Sequence, residues 1–120
     1  MKLVAAALLL STSLAFAQEE VDAKDAQAWV EVFDKIVDSV VANRADCGKM
    51  ATSVAAVIDA NEPTIAKVRA AKLAGKKFPA SMQQHMVDNV RRMAGSLDKC
   101  GRDDKVAAAF ARLDLGGHGN

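Results

Sequence analysis

Two cysteines, Cys47 and Cys100, constrain this 120-residue chain more than any other feature. What they do depends on the compartment, and what they do then dictates topology. The compartment is read from the N-terminus. Lys2 supplies a positive charge, Leu3 to Leu10 form an unbroken apolar run, and Ser11 to Ala17 end in the small-x-small triplet Ala15-Phe16-Ala17. This three-part order predicts a signal peptide over residues 1–17 and a mature chain beginning at Gln18. The apolar run falls far below the roughly 20 residues that span a bilayer, and no cysteine follows the cleavage site to carry a lipid. A short, Lys-led signal without any Asn-x-Ser/Thr acceptor in the chain points to a Gram-negative periplasm, with secretion further out as the alternative.

In an oxidising compartment, two cysteines on apolar stripes are expected to form one disulfide, Cys47–Cys100. Their spacing is too long for a CxxC redox motif, and no CxxCH haem site exists. The competing arrangements are an intermolecular bridge and free or metal-bound thiols. An intramolecular bridge requires the two Cα atoms to lie within about 7 Å, and this requirement sorts the topologies.

Five helical segments follow from period and punctuation. The first runs from Asp25, read as its N-cap, to about Asn43. Ala26, Trp29, Phe33, Ile36, Val37 and Val40 lie on one face, and Lys24, Gln27, Glu31, Asp34, Lys35 and Asp38 on the other. Its valines lack the strict alternation of a strand. Asp46 caps the second, which carries Cys47, Met50, Ala51, Val54, Val57 and Ile58. Pro63 interrupts it and opens a third, with Ile65, Val68 and Leu73, that stops at Gly75. Pro79 opens the fourth and longest, with a stripe of Met82, Met86, Val90, Met93, Leu97 and Cys100, ended by Gly101. Asp103 caps a last short helix with Val106, Ala109, Phe110 and Leu113 inward.

Five simple up-down helices would place the two cysteines at opposite ends. Treating the second and third as one rod kinked at Pro63 brings them together. The expected fold is therefore all-α: a small antiparallel helical bundle of about five segments in four layers, stapled by one disulfide. The expected organisation is a lead-in over residues 18–24, a bundle over 25–115 and a flexible tail over 116–120.

Composition narrows function by exclusion. Loss of Lys2 with the signal balances sixteen basic residues against fifteen acidic ones at fifteen each, which argues against a general nucleic-acid binder. There is no GxSxG, HExxH, P-loop, GxGxxG or EF-hand pattern, and no tyrosine. No candidate nucleophile–base pair emerges, so no catalytic activity and no cofactor are expected. The acidic pairs Asp34/Asp38 and Asp103/Asp104 read as a solvated face and a helix cap. Met82, His85 and Met86 are the one arrangement with metal character, since thioether and imidazole suit Cu(I). The competing reading makes the methionines gap-fillers of the core, and His85 falls toward the polar face.

Charge is unevenly spread. The first helix and its lead-in are acidic, whereas the stretch from Pro63 to Lys99 is basic. Complementary helices, within one bundle or between two subunits, would absorb this asymmetry. Alternatively, Lys72, Lys76 and Lys77 form a patch for an anionic surface or an acidic protein partner. The expected function is thus non-enzymatic interaction with a protein or surface, self-association included. A periplasmic carrier of copper or another small ligand is the alternative.

Overall fold

The computed structural model describes residues 19–114. The expected signal peptide over 1–17, its cleavage site, and the expected tail over 116–120 lie outside the described residues. Within them the chain is all-α, with five helices: α1 (Ala23–Ala42), α2 (Cys47–Ala60), α3 (Glu62–Leu73), α4 (Ala80–Gly95) and α5 (Asp104–Ala111).

Helix α1 is the hub, because α2, α3 and α4 all pack on it. That position explains its wide apolar face. Val30 and Val32 are buried together with the expected Ala26, Trp29, Phe33, Ile36, Val37 and Val40, since a helix covered on several sides needs more than one apolar stripe. Its N-cap is Asp22, not Asp25: the Asp22 carboxylate accepts from Lys24 N at 2.9 Å. Asp25 occupies the first turn, where the helix dipole favours an anion. The helix starts early because the segment before it is anchored. Val21 N donates to Lys77 O at 2.8 Å and Lys77 N to Glu19 O at 3.0 Å, and Val21 is buried. Residues 19–22 therefore belong to the fold.

The Asp46 carboxylate accepts from Lys49 N at 3.0 Å and caps α2. A single residue, Asn61, separates α2 from α3, with Pro63 in the first turn of α3, where its missing N–H costs nothing. Asn61 carries the chain across this break by donating its side-chain amide to Val57 O at 2.7 Å. Gly75 closes α3 with φ +77°, a left-handed conformation that glycine adopts without penalty.

Helix α4 is shorter than expected. It ends at Gly95, capped by Ser96, so Leu97 and Cys100 lie in the following turn rather than on its stripe. Gly101 does not end the helix; it tightens this turn. Its N–H reaches Leu97 O at 2.8 Å, and a Cβ there would lie 2.7 Å from the same oxygen. The buried face of α4 is also rotated from the expected one. Asn89 is its buried residue, while Val90, expected inward, is 51% exposed. Among the helices α4 packs only on α1, so it presents a narrow face there and leaves Val87 and Val90 at the surface. Asp103 caps α5 through Lys105 N and Val106 N, and Val106 and Ala109 face inward.

Ion-pair register gives the directions. Asp34 meets His85, and Asp38 meets Arg92, so α1 and α4 run parallel. Asp25 meets Lys67 and the earlier Val21 meets the later Lys77, so α3 returns antiparallel to α1. Asp59 meets Arg112 and Ala51 shares a groove with Lys105, so α5 runs alongside α2. The order across the bundle is α4, α1, the α2–α3 rod and α5. This is the up, kinked-down, up, down path that the cysteines demanded. Cys47 and Cys100 are bonded, with Cα atoms 5.3 Å apart, and Lys99 Nζ donates to Ala45 O at 3.0 Å beside the bridge. The core beneath contains fully buried Ile36, Val37, Val40, Met50, Val54, Ile58 and Ile65.

Candidate binding cavity

Part of the charge asymmetry is met by pairs between α1 and the helices that pack on it. The α1–α4 seam is polar: His85 Nε2 lies 2.8 Å from Asp34 Oδ1, the Asn89 amide donates to the same oxygen, and Arg92 donates to Asp38 Oδ1 at 3.0 Å. Burial pushes the Asp34 carboxyl up, but the hydrogen bonds from Asn89 and His85, with the nearby positive charges of His85 and Arg92, outweigh it and hold Asp34 below its ordinary value of 3.8. Asp34 and Asp38 therefore pair with α4 across the seam, Asp38 from an exposed position as expected and Asp34 from a half-buried one. On the other side of α1, Lys67 Nζ approaches Asp25 at 3.6 Å.

Lys72 and Lys76 sit elsewhere. At the end of the bundle where Glu19–Val21 pairs with Lys77, the α3–α4 connection crosses over α1 and leaves a cavity of about 300 Å³. Five apolar side chains line it: Val21, Trp29, Val68, Phe78 and Met86. They come from the lead-in, α1, α3, the turn and α4. Val21, Trp29 and Val68 are buried, whereas Lys72 and Lys76 are exposed and complete the lining from the solvent side. Trp29 also stacks on Phe33, with ring centroids 5.6 Å apart and planes 6° apart, which fixes the indole as a rigid wall. Its Nε1 is buried and has no hydrogen-bond acceptor among the described residues.

The candidate residues are thus divided between two places. Met86 lines the cavity, while His85, one residue earlier and about 100° around the helix, is committed to Asp34. Met82 is half-buried. Among the described residues no three His, Cys, Asp or Glu side chains converge as a metal site. Lys72 and Lys76 join the cavity, and Lys77 holds the lead-in through its backbone. Sequence reasoning placed Trp29 in the core and passed over Val21, Phe78 and Asn89. Phe78 had one local signal: an aromatic residue set between Lys77 and Pro79 in a turn has no helix face to join and must pack across the chain. Asn89 had none, because its partner Asp34 lies on another helix.

Comparison with protein-family models, with curated proteins and with solved structures finds no match. Among the described residues no helix is long and apolar enough to cross a membrane.

Proposed function

We propose that this protein is a non-enzymatic, exported binding protein for a small apolar ligand, held between Trp29, Phe78 and Met86. The observation that carries this reading is the cavity itself. Ligand pockets are concave, mainly apolar, and bear a few placed polar groups at roughly 300–1,000 Å³. The cavity at the α3–α4 turn has that character and lies at the lower end of that range. The lead-in, α1, α3, the α3–α4 turn and α4 converge on it, so it is built by the tertiary fold, and the disulfide holds the bundle that supports it. An oxidised staple also suits a protein working outside the cytosol. This favours the small-ligand reading over a flat basic patch, because exposed Glu19 and Glu20 adjoin Lys77 and dilute the positive field there.

Trp29 is the chain's only tryptophan, and there is no tyrosine, so intrinsic emission reports directly on the cavity wall. Titrating the oxidised protein with decanol, a neutral apolar probe, should shift that emission saturably. Met86→Phe, which fills the cavity from α4, should abolish the saturable shift while the far-ultraviolet circular dichroism stays helical. A linear, non-saturating response identical in both proteins would refute the reading.

A further inference from the structure

We propose that the outward face of α4 docks a second copy of this chain. The two α4 helices lie antiparallel across a two-fold axis, with Val87 against the partner's Val90 and Asp88 facing the partner's Arg91. This surface is separate from the cavity, and the inference does not rest on the reading of that cavity as a ligand site.

The face is apolar and uncovered. Among the described residues the exposed large apolar side chains are Leu73, Val87 and Val90, and two of these share α4, which packs on α1 alone among the helices. Ala80 and Ala94 are exposed as well. In chain order Ala80, Val87, Val90 and Ala94 stand seven, three and four residues apart, the spacing of a coiled-coil seam. A lone surface valine is ordinary, but these four positions align along the whole length of the helix. The position that interrupts the seam is Gln83, also exposed, and a polar residue at a single seam position fixes the register of a helix pair.

The face also carries its own charge complement. Asp88 and Arg91 are exposed and lie on one flank of the stripe, with Met86 on the other. Asp88 accepts from the Gln84 amide at 2.9 Å, but among the described residues neither Asp88 nor Arg91 enters an ion pair. Arg92, the next residue, is by contrast turned inward to Asp38. In an antiparallel pair each flank meets the same flank of the other copy. A two-fold axis level with residues 88 and 89 therefore sets Val87 opposite the partner's Val90 and Gln83 opposite the partner's Ala94. It also brings Asp88 within reach of the partner's Arg91, and does so twice. A parallel pair would turn this charged flank toward the Met86 flank and leave both charges unmet. A pattern complementary to itself across a two-fold axis fits the same surface of a second copy, the isologous arrangement of symmetric dimers. Helix α4 has 16 residues and is about 24 Å long, so the contact is small for a specific interface and the dimer should be weak and reversible.

Sedimentation velocity of the oxidised protein, over a concentration series reaching the millimolar range, tests the proposal. The sedimentation coefficient should rise with concentration toward that of a dimer and fall back on dilution. Val87→Gln/Val90→Gln should stay monomeric throughout, with circular dichroism and the urea midpoint unchanged, since both side chains are exposed. Asp88→Arg or Arg91→Asp alone sets like charges face to face at two places and should raise the dissociation constant roughly tenfold. The double reversal Asp88→Arg/Arg91→Asp restores opposite charges across the axis at unchanged net charge. It should recover dimerisation to within about threefold of the wild type. A wild type that stays monomeric at every concentration would overturn the proposal and leave this face to a different partner. A dimer that survives Val87→Gln/Val90→Gln would place self-association on another surface and overturn it too. Single reversals without effect, or a double reversal that does not recover, would refute the antiparallel pairing.

Discussion

Removing both sulfurs with Cys47→Ala/Cys100→Ala opens a covalent loop of 53 residues' separation that encloses α2, α3 and α4. In the chain-entropy model the cross-link removes about 14 cal/mol/K from the unfolded chain at this length, or about 4 kcal/mol at 25 °C. The native state should change little, since α5 remains packed on α2 and α4 on α1. Cys100 is fully buried, so its truncation adds a small packing loss to the entropic one. The folding equilibrium should fall about a thousandfold, a large part of a small domain's total of about 5–15 kcal/mol. Urea unfolding followed by circular dichroism at 222 nm measures it. The midpoint should drop sharply, and the slope should rise, because a chain without the cross-link exposes more surface when unfolded. The wild type under reducing conditions should behave like the variant. A loss below about 1 kcal/mol with an unchanged slope would refute the reasoning, as would a disulfide-linked dimer on a non-reducing gel.

Asn89→Leu keeps volume but removes the donor to Asp34 on the α1–α4 seam. It should cost about 1–3 kcal/mol in urea unfolding, as expected when a buried hydrogen bond to a charged group is lost. Asp34 is held below its ordinary value in the folded state, so its contribution is complete above the unfolded carboxyl range near pH 4 and is lost as pH falls through the lower folded value. Acid titration of Asp34→Asn should therefore show a deficit at neutral pH that closes below about pH 4; a deficit that widens with acid would contradict the sign. Met82→Leu/Met86→Leu conserves apolar volume and should cost less than about 1.5 kcal/mol. The same protein should bind Cu(I) no differently from the wild type, since His85 is committed to Asp34; a sub-micromolar wild-type affinity lost in the variant would restore Met82, His85 and Met86 as a metal site. Intact mass of the protein recovered from its own compartment should begin at Gln18, and a retained Met1 would remove the export argument.

The seam gives the uneven charge of the sequence a structural meaning. Acidic α1 lies between basic α3 and α4 and meets them through Asp25–Lys67, Asp34–His85 and Asp38–Arg92. Exposed pairs of this kind add little stability each. Their register does, however, oppose sliding α4 by a turn along α1, where an apolar seam would tolerate a slip. Asn89 sharpens this effect. It is nearly fully buried, and Asp34 is within its reach only in one register.

Helix periodicity, the caps at Asp46 and Asp103, the break at Pro63 and the stop at Gly75 were legible in the amino-acid sequence. Each is a local matter of side-chain spacing and backbone freedom within a few residues. The cysteine pair added one long-range fact, and geometry turned it into the path of the bundle. What the sequence alone left undecided depended on which neighbour each helix meets. The fourth helix reads as a stripe through Val90, but packing on α1 alone turned its buried face to Asn89. Asp34 and Asp38 read as a solvated face, and they stay partly or largely exposed, but docking of α4 gave them His85, Asn89 and Arg92 as partners. Asp25 read as a cap until the pairing of Val21 with Lys77 drew the helix start back to Asp22. The cavity was the least legible of all: Val21, Trp29, Val68, Phe78 and Met86 lie on five separate stretches of chain, and their shared surface exists only where the lead-in and the α3–α4 turn close over α1. Local propensity acts within a turn or two of helix, whereas a cavity is a gap left between elements, and its lining is set by how those elements dock.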